Sequence, residues 1–306
     1  MKPHPSFIAT AYRYFMTVAE TGSVRSAART LNVAASAISR QLILLEGQLG
    51  VTLFDRTSRS LSLSPAGEVL LHGLRDIAQG NEETLERLGT LKGLTRGLVS
   101  VATVESISVT VLPDLMLAFS GDFPGLQVTV VVAGSDAVTE LVRDHRADLG
   151  FTFNPTSLSG LDVVAEQDLH VGAIMAPGHP LAGTKRLRLA DCLAYPLAWP
   201  GRGLSLRTAL DRLPAARDLQ PRFECNSLRL MASLARRGSC IAFQTPIGIE
   251  QDLEKGSLVY RPLTDKRLPV DRLMVVRRKG QGGSLAADAF VDVARRQLAP
   301  GRTVRN

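Results

Sequence analysis

The sequence predicts an α/β chain in two parts. A small N-terminal winged helix-turn-helix leads into a long linker helix, and a larger α/β domain of two lobes follows. Three observations carry this. Between Ser23 and Leu49, two short helical patterns flank a tight turn. Between Pro65 and Leu91, apolar residues recur at near-heptad spacing. From Leu98 onward, short β-rich runs alternate with helical patterns, and the alternation repeats after Leu169.

The elements follow in order. Phe15, Val18 and Ala19 mark an opening helix. Ala27, Ala28 and Leu31 give the next helix an apolar stripe, and the small alanines let its neighbour approach closely. Ile38, Leu42, Leu45 and Leu49 repeat on the third. Its other face carries Ser36, Ser39, Arg40 and Gln41, groups able to read base edges and phosphates in a major groove. Val51–Arg56 and Leu61–Ser64 alternate at period two around a polar, basic tip, which predicts a wing with Arg56 and Arg59 at phosphate or minor groove. With Ser23 and Arg25, these are the candidate DNA contacts.

Ser64-Pro65 suits a helix start. Leu70, Leu74, Ile77, Leu85, Leu88 and Leu91 then form one apolar seam between charged flanks. About 27 residues at 1.5 Å each predict a helix of roughly 40 Å. Gly93, Thr95 and Gly97 mark a hinge.

Beyond it, 99–104 and 127–133 are expected strands, the second buried, with a helix over 109–119 between them. A helix over 136–144 and a strand over 147–151 follow. The second round runs through 171–175, 187–193, a helix after Ser205, Phe223, a helix over 227–237, and 240–243. Residues 273–276 and a helix over 285–298 close it. The alternation predicts a parallel sheet covered on both faces, and 162–168 and 262–269 are the expected crossovers between lobes. The resulting boundaries are 1–66 for the winged domain, 67–95 for the linker helix and hinge, and 96–306 for the two-lobed domain. Lobe I takes 96–167 and 269–306, and lobe II 168–268.

Composition narrows the function classes. At 306 residues, 45% hydrophobic and 21% charged, the chain has the composition of a folded globular protein. Net charge is +7. Seven Lys and Arg against three Asp and Glu leave +4 in residues 1–66, so most of the excess lies in about a fifth of the chain. That suits a polyanionic partner. No run approaches the roughly 18 apolar residues of a membrane span, and the N-terminus lacks a signal-peptide pattern, so a cytoplasmic protein is expected. Cys192, Cys225 and Cys240 are odd in number and widely spaced, neither a disulfide framework nor a metal set, although a redox-sensing pair stays open. His4, His72, His145, His170 and His179 show no metal spacing, and no phosphate loop or nucleophile elbow is present. No enzyme activity, cofactor or metal is therefore expected.

An ordered series of motifs resembles the LysR-type transcriptional regulators. It comprises Ser23-Val-x-x-Ala-Ala, Leu31-Asn-Val33, Ile38-Ser-Arg-Gln41, Leu45-Glu46, Leu49-Gly-Val-x-Leu-Phe-x-Arg56 and Leu63-Ser-Pro-Ala-Gly67. Gly178-His-Pro-Leu-Ala182 and Gly256-Ser-Leu-Val259 extend the likeness over almost the whole chain. The resemblance implies a periplasmic-binding-protein-like effector domain and a small organic effector between its lobes. It also implies an operator in double-stranded DNA, pairing of the 65–92 helix into a homodimer, a homotetramer through the effector domains, and RNA polymerase as a further partner. Three departures stand out, one being Ser239-Cys240 in a stretch that is typically Gly-rich. Ala34 and Ala35 replace a polar pair common at the recognition helix start, and Ile43 and Leu44 are apolar where charge is usual.

An effector cleft would lie at strand carboxyl ends and helix N-termini. Three loops fit: Thr103-Val-Glu105-Ser106, Gly134-Ser135-Asp136, and Gly201-Arg202-Gly-Leu-Ser205. Family members commonly contact effector from positions matching Ser106 and Ser135, and Asn226 and Thr245 lie at similar strand ends. The hydroxyls of Ser106 and Ser135 would cap helices, touch ligand, or both. Arg202 is either a carboxylate clamp or solvated surface. Glu105, if it faces inward, points to a ligand with an amine or several hydroxyls. Rival readings are an effector-independent regulator, a solute-binding module, and an enzyme on a doubly wound fold.

Overall fold

The computed structural model describes residues 9–56, 61–90, 97–217, 219–280 and 284–298. The chain divides into two compact units, residues 1–94 and 95–306.

The first unit opens with α1 (Thr10–Thr21), α2 (Val24–Leu31) and α3 (Ala35–Leu49). Ser23 caps α2 by accepting the Ser26 N–H at 3.4 Å. Gly50 ends α3 in the left-handed region at φ 69°, where a side chain would be strained. Phe15, Val18, Ala27, Ile38, Leu42 and Leu45 form the core, while Leu49, expected on the same stripe, is exposed at the helix end. The wing strands β1 (Phe54–Arg56) and β2 (Leu61–Leu63) pair antiparallel with Phe54 opposite Leu63. Glu46 accepts the Leu53 N–H at 2.7 Å and so ties α3 to the wing.

Helix α4 (Pro65–Thr90) starts as read, with Ser64 Oγ accepting the Gly67 N–H at 3.0 Å. A Cβ on Gly67 would collide with the Leu53 carbonyl, so only glycine fits there. The seam needs correction. Leu71 and Leu74 are buried in the core of their own winged unit, because the first three turns pack on it. Ile77 is exposed. The side chains of Leu85 and Leu88, residue Leu91 and the 91–96 hinge lie outside the described residues.

The second unit runs β3 (Gly97–Thr103), α5 (Glu105–Val109), α6 (Val111–Asp122), β4 (Leu126–Val132), α7 (Ser135–Arg143), β5 (Leu149–Phe153) and β6 (Leu161–Leu169). Then come β7 (Gly172–Met175), α8 (Leu189–Cys192), β8 (Ala198–Pro200), α9 (Ser205–Leu210), β9 (Phe223–Cys225), α10 (Leu228–Arg236), β10 (Ala242–Gln244), α11 (Glu250–Glu254), β11 (Val259–Pro262), β12 (Asp271–Arg278) and α12 (Leu285–Leu298).

The lobe I sheet is ordered β4-β3-β5-β12-β6. It is mixed rather than parallel: β3 runs parallel to β4 and β5, while β12 is antiparallel to both β5 and β6. Residues 162–168, expected as a crossover, lie within β6, whose alternating burial pairs it as an edge strand with β12. Strand β4 is also an edge, and Val130, Val131 and Val132 are exposed, so the buried strand expected there is corrected. The single helix expected over 109–119 is two. Pro113 has no N–H to continue the helix past Thr110, yet fits the first turn of α6.

Lobe II repeats the pattern. Strand β8 is parallel to β9, a parallel bridge joins Leu197 to Ile241 beside β10, and β7 is antiparallel to β10 and β11. The lobe cores centre on Phe119 and Phe290, with rings 5.0 Å apart, and on Trp199 and Phe243, 5.4 Å apart.

Candidate effector cavity and DNA-reading face

A cavity of about 510 Å³ lies between the two lobes of the second unit. This is within the roughly 300–1,000 Å³ of small-molecule sites. From lobe I it is lined by Glu105 and Ser106 in the first turn of α5, Ala133 and Ser135 around the start of α7, Phe153 at the end of β5, and Asp271. From lobe II come Arg202 and Ser205 before and in α9, Asn226 and Ser227 before α10, and Gln244 and Thr245 after β10. Val104, Val132, Leu204, Leu206 and Leu228 supply apolar wall.

Seven of the eight residues expected from sequence therefore meet at one cavity. Thr103 does not. It ends a central strand paired on both sides, is fully buried, and turns its hydroxyl to the Val104 carbonyl. Ser106 and Ser135 are nearly buried, and neither caps its helix: Val104 and Gly134 hold the cap positions without side-chain bonds. No hydrogen-bond partner for either hydroxyl is present among the described residues.

Glu105 faces inward and is already engaged. Its carboxylate accepts from Ser227 Oγ at 2.9 Å, the Leu228 N–H at 2.7 Å and the Arg229 N–H at 3.4 Å. A lobe I carboxylate thus fills the N-terminus of a lobe II helix, where backbone N–H groups and the helix dipole favour an anion. Three more contacts join the lobes. A Cβ on Gly248 would press on Ser106 at 3.2 Å, one on Gly134 would meet the Gly203 carbonyl at 3.3 Å, and Thr110 donates to Glu250 at 3.1 Å. Arg202, between two glycines, is exposed at the cavity and has no ion-pair partner among the described residues.

The sequence reading missed two lining residues. Gln244 is buried and its Oε1 has no hydrogen-bond partner among the described residues. Asp271 is 7% exposed, and its carboxylate accepts from Asn154 Nδ2 at 3.1 Å. Burial pushes its carboxyl up to about 7. Each is a single polar residue at a strand end, with no motif to single it out.

The three thiols are free. Burial pushes Cys192 up to about 12 and Cys240 up to about 11, and it raises Cys225 as well. A redox sensor needs a thiolate, and none of the three sites favours one.

In the first unit, Arg25, Ser36 and Arg40 are exposed, and Ser23, Ser39 and Gln41 are half-buried. Arg40 Nε lies 3.4 Å from the Ser36 carbonyl, so its guanidinium rests along its own helix. Ser23 is engaged as the α2 cap. The Arg56 side chain and the whole of Arg59 fall outside the described residues. Among the described residues no helix is long and apolar enough to cross a membrane.

Two family descriptions match this chain. Residues 10–68 match the bacterial regulatory helix-turn-helix protein of the lysR family, and residues 92–299 match the LysR substrate binding domain. The chain belongs to the LysR family of transcriptional regulators. It is accordingly a DNA-binding regulator of the LysR type with an effector-binding domain. It is 33% identical to an uncharacterised HTH-type transcriptional regulator of Mycobacterium tuberculosis, over 82% of this chain and 84% of that one. It is 28% identical to the RuBisCO operon transcriptional regulator of Allochromatium vinosum, over 91% and 92%. Among solved structures it resembles full-length OxyR of Pseudomonas aeruginosa, with a TM-score of 0.67 and 17% identity over 95% and 96% of the two chains. It also resembles full-length CbnR bound to its target DNA, with a TM-score of 0.61 and 22% identity over 94% and 98%. The likeness to these LysR structures is one of fold.

Proposed function

We propose that this LysR regulator binds a small organic effector in the cavity between its lobes, and that residues 1–66 read a DNA operator. Ser36, Ser39, Arg40 and Gln41 face the major groove, Ser23 and Arg25 approach the backbone, and Arg56 and Arg59 approach phosphate from the wing. The helix over 65–92 pairs two subunits, and exposed Ile77 supports that role. The apolar β4 edge supports a further contact that builds a tetramer. The protein acts in the cytoplasm, meets RNA polymerase at its promoters, and catalyses no reaction.

The observation that carries the effector reading is the pair of unpartnered hydroxyls. Ser106 and Ser135 stand at two helix starts, line one cavity and cap neither helix. A hydrogen bond from each to ligand is worth about 0.5–1.5 kcal/mol, or 1.5–3 to a charged group. A thermal-shift screen of small metabolites on the full chain would find the effector. Calorimetry on Ser106→Ala and Ser135→Ala should then show weakened binding, with DNA affinity in the absence of effector unchanged. Wild-type effector affinity in both variants would remove the cavity from the reading. For the DNA head, Arg40→Ala should weaken operator binding by about 1–3 kcal/mol in mobility-shift titrations. Unchanged operator affinity would remove Arg40 from base readout.

A further inference from the structure

The most buried part of the cavity lining, its floor, includes Gln244 and Asp271, and among the described residues Gln244 Oε1 has no donor and Asp271 no counter-charge. Gln244 and Asp271 lie opposite Gly172 and Leu169 in their sheets, on either side of the link from β6 to β7. Those partners are three residues apart, so their Cα atoms are separated by at most ~11 Å. Among the described residues Gln244 Oε1 is buried without a partner, and the Asp271 carboxylate accepts from the Asn154 amide alone. A buried carboxylate without a counter-charge is costly, and a buried orphan acceptor calls for a donor.

One place that would suit a ligand carboxylate, the N-terminus of α10, is taken. Glu105 occupies the N-terminus of α10 with three hydrogen bonds, so an acidic ligand placed there would meet a like charge. The remaining walls are mainly apolar, and the lining cation, Arg202, is exposed rather than at the floor.

We infer that the effector carries an ammonium group, held at the floor of the cavity by the Asp271 carboxylate and the Gln244 amide oxygen, on an apolar body. An ammonium brings three donors and a positive charge, which satisfies both acceptors at once. Such a cation also favours the ionised form of Asp271, which burial alone opposes. The inference rests on the reading of this cavity as the effector site and names its ligand class. Whether the ligand is a simple amine or a zwitterion depends on Arg202, which would meet a carboxylate at the exposed side.

The test is titration calorimetry on the full-length chain at neutral pH with four probes of similar size: phenethylamine, L-phenylalanine, 3-phenylpropanoate and 3-phenyl-1-propanol. The two ammonium probes should bind, and the acid and alcohol should bind at least about tenfold more weakly. Asp271→Asn should remove that preference while melting no lower than wild type, since it deletes an unpaired buried charge. If that variant fails to fold, Gln244→Leu takes its place and should weaken the ammonium probes alone. An advantage of L-phenylalanine over phenethylamine that disappears in Arg202→Ala identifies a zwitterion, and no such advantage identifies a simple amine. Ammonium probes that fail to bind at millimolar concentration overturn the inference. So does preference for the acid, which leaves the effector cavity standing if Ser106→Ala abolishes that binding. Ammonium binding indifferent to Asp271→Asn, Ser106→Ala and Ser135→Ala lies outside the cavity and overturns both readings.

Discussion

Asp271 concentrates the chemistry of the second unit in one side chain. Its carboxyl is pushed up to about 7 by burial, against about 3.9 in an unfolded chain. Between those values the folded chain holds a proton that the unfolded chain has released. Unfolding free energy therefore falls as pH rises from about 4 to 7, and the loss is complete above 7. The other charged lining groups are Glu105, engaged by α10, and exposed Arg202. Without ligand, Asp271→Asn should stabilise the second unit by roughly 2–4 kcal/mol at pH 8 and leave it unchanged near pH 4. Denaturant unfolding at the two pH values checks this, and equal shifts at both would refute it. Ser106, Ser135 and Glu105 were legible in the sequence because each follows a strand and opens a helix. Asp271 and Gln244 were not, because a lone polar residue at a strand end looks like any other until the fold brings two of them to one floor. Thr103 misled because its neighbours in sequence line the cavity, while its own side chain is buried with its hydroxyl on the Val104 carbonyl.

Helix α4 shows how an element can serve two surfaces. Its first turns bury Leu71 and Leu74 in the winged unit, and Ile77, one turn on, is 57% exposed. The sequence could not separate these roles, since both faces recur at the same helical spacing. A charge at Leu74 would be buried in a packed core and should destabilise the winged unit by about 3 kcal/mol or more. Ile77→Asp should leave helical content and melting unchanged yet shift the sedimenting species toward monomer. Circular dichroism and sedimentation on both variants separate the effects. A wild-type mass for Ile77→Asp would exclude that turn from pairing. The edge strand β4 presents the same ambiguity: Val130–Ala133 is a short continuous apolar run, which suits a buried central strand and an exposed edge equally. The helix break at Thr110 was legible in principle from Pro113, whose missing N–H cannot serve the preceding turn.

At the scale of the whole effector unit, alternating strands and helices were enough to reveal two lobes. They did not reveal the antiparallel β12, because a returning strand carries the same β-rich signature as a parallel one. What the sequence hid most completely is that the lobes are clasped. Glu105 and the first turn of α10 are 122 residues or more apart in the chain, and no local pattern pairs them. Charge-assisted hydrogen bonds of this kind are worth about 1.5–3 kcal/mol when removed singly. Ser106 against Gly248 and Thr110 against Glu250 support the same closure. A two-lobed domain that closes by hinge motion is biased by whatever joins its faces. Glu105→Ala should therefore shift the unit toward more open conformations while leaving each lobe's core intact. Amide exchange should rise at Leu228 and Arg229, whose N–H groups lose their acceptor, and stay unchanged in β3 and β8. Bound effector should dissociate faster, because the lobes no longer hold each other shut around it. Exchange in the first turn of α10 equal to wild type would mean that packing alone closes the cavity and that the clasp is incidental.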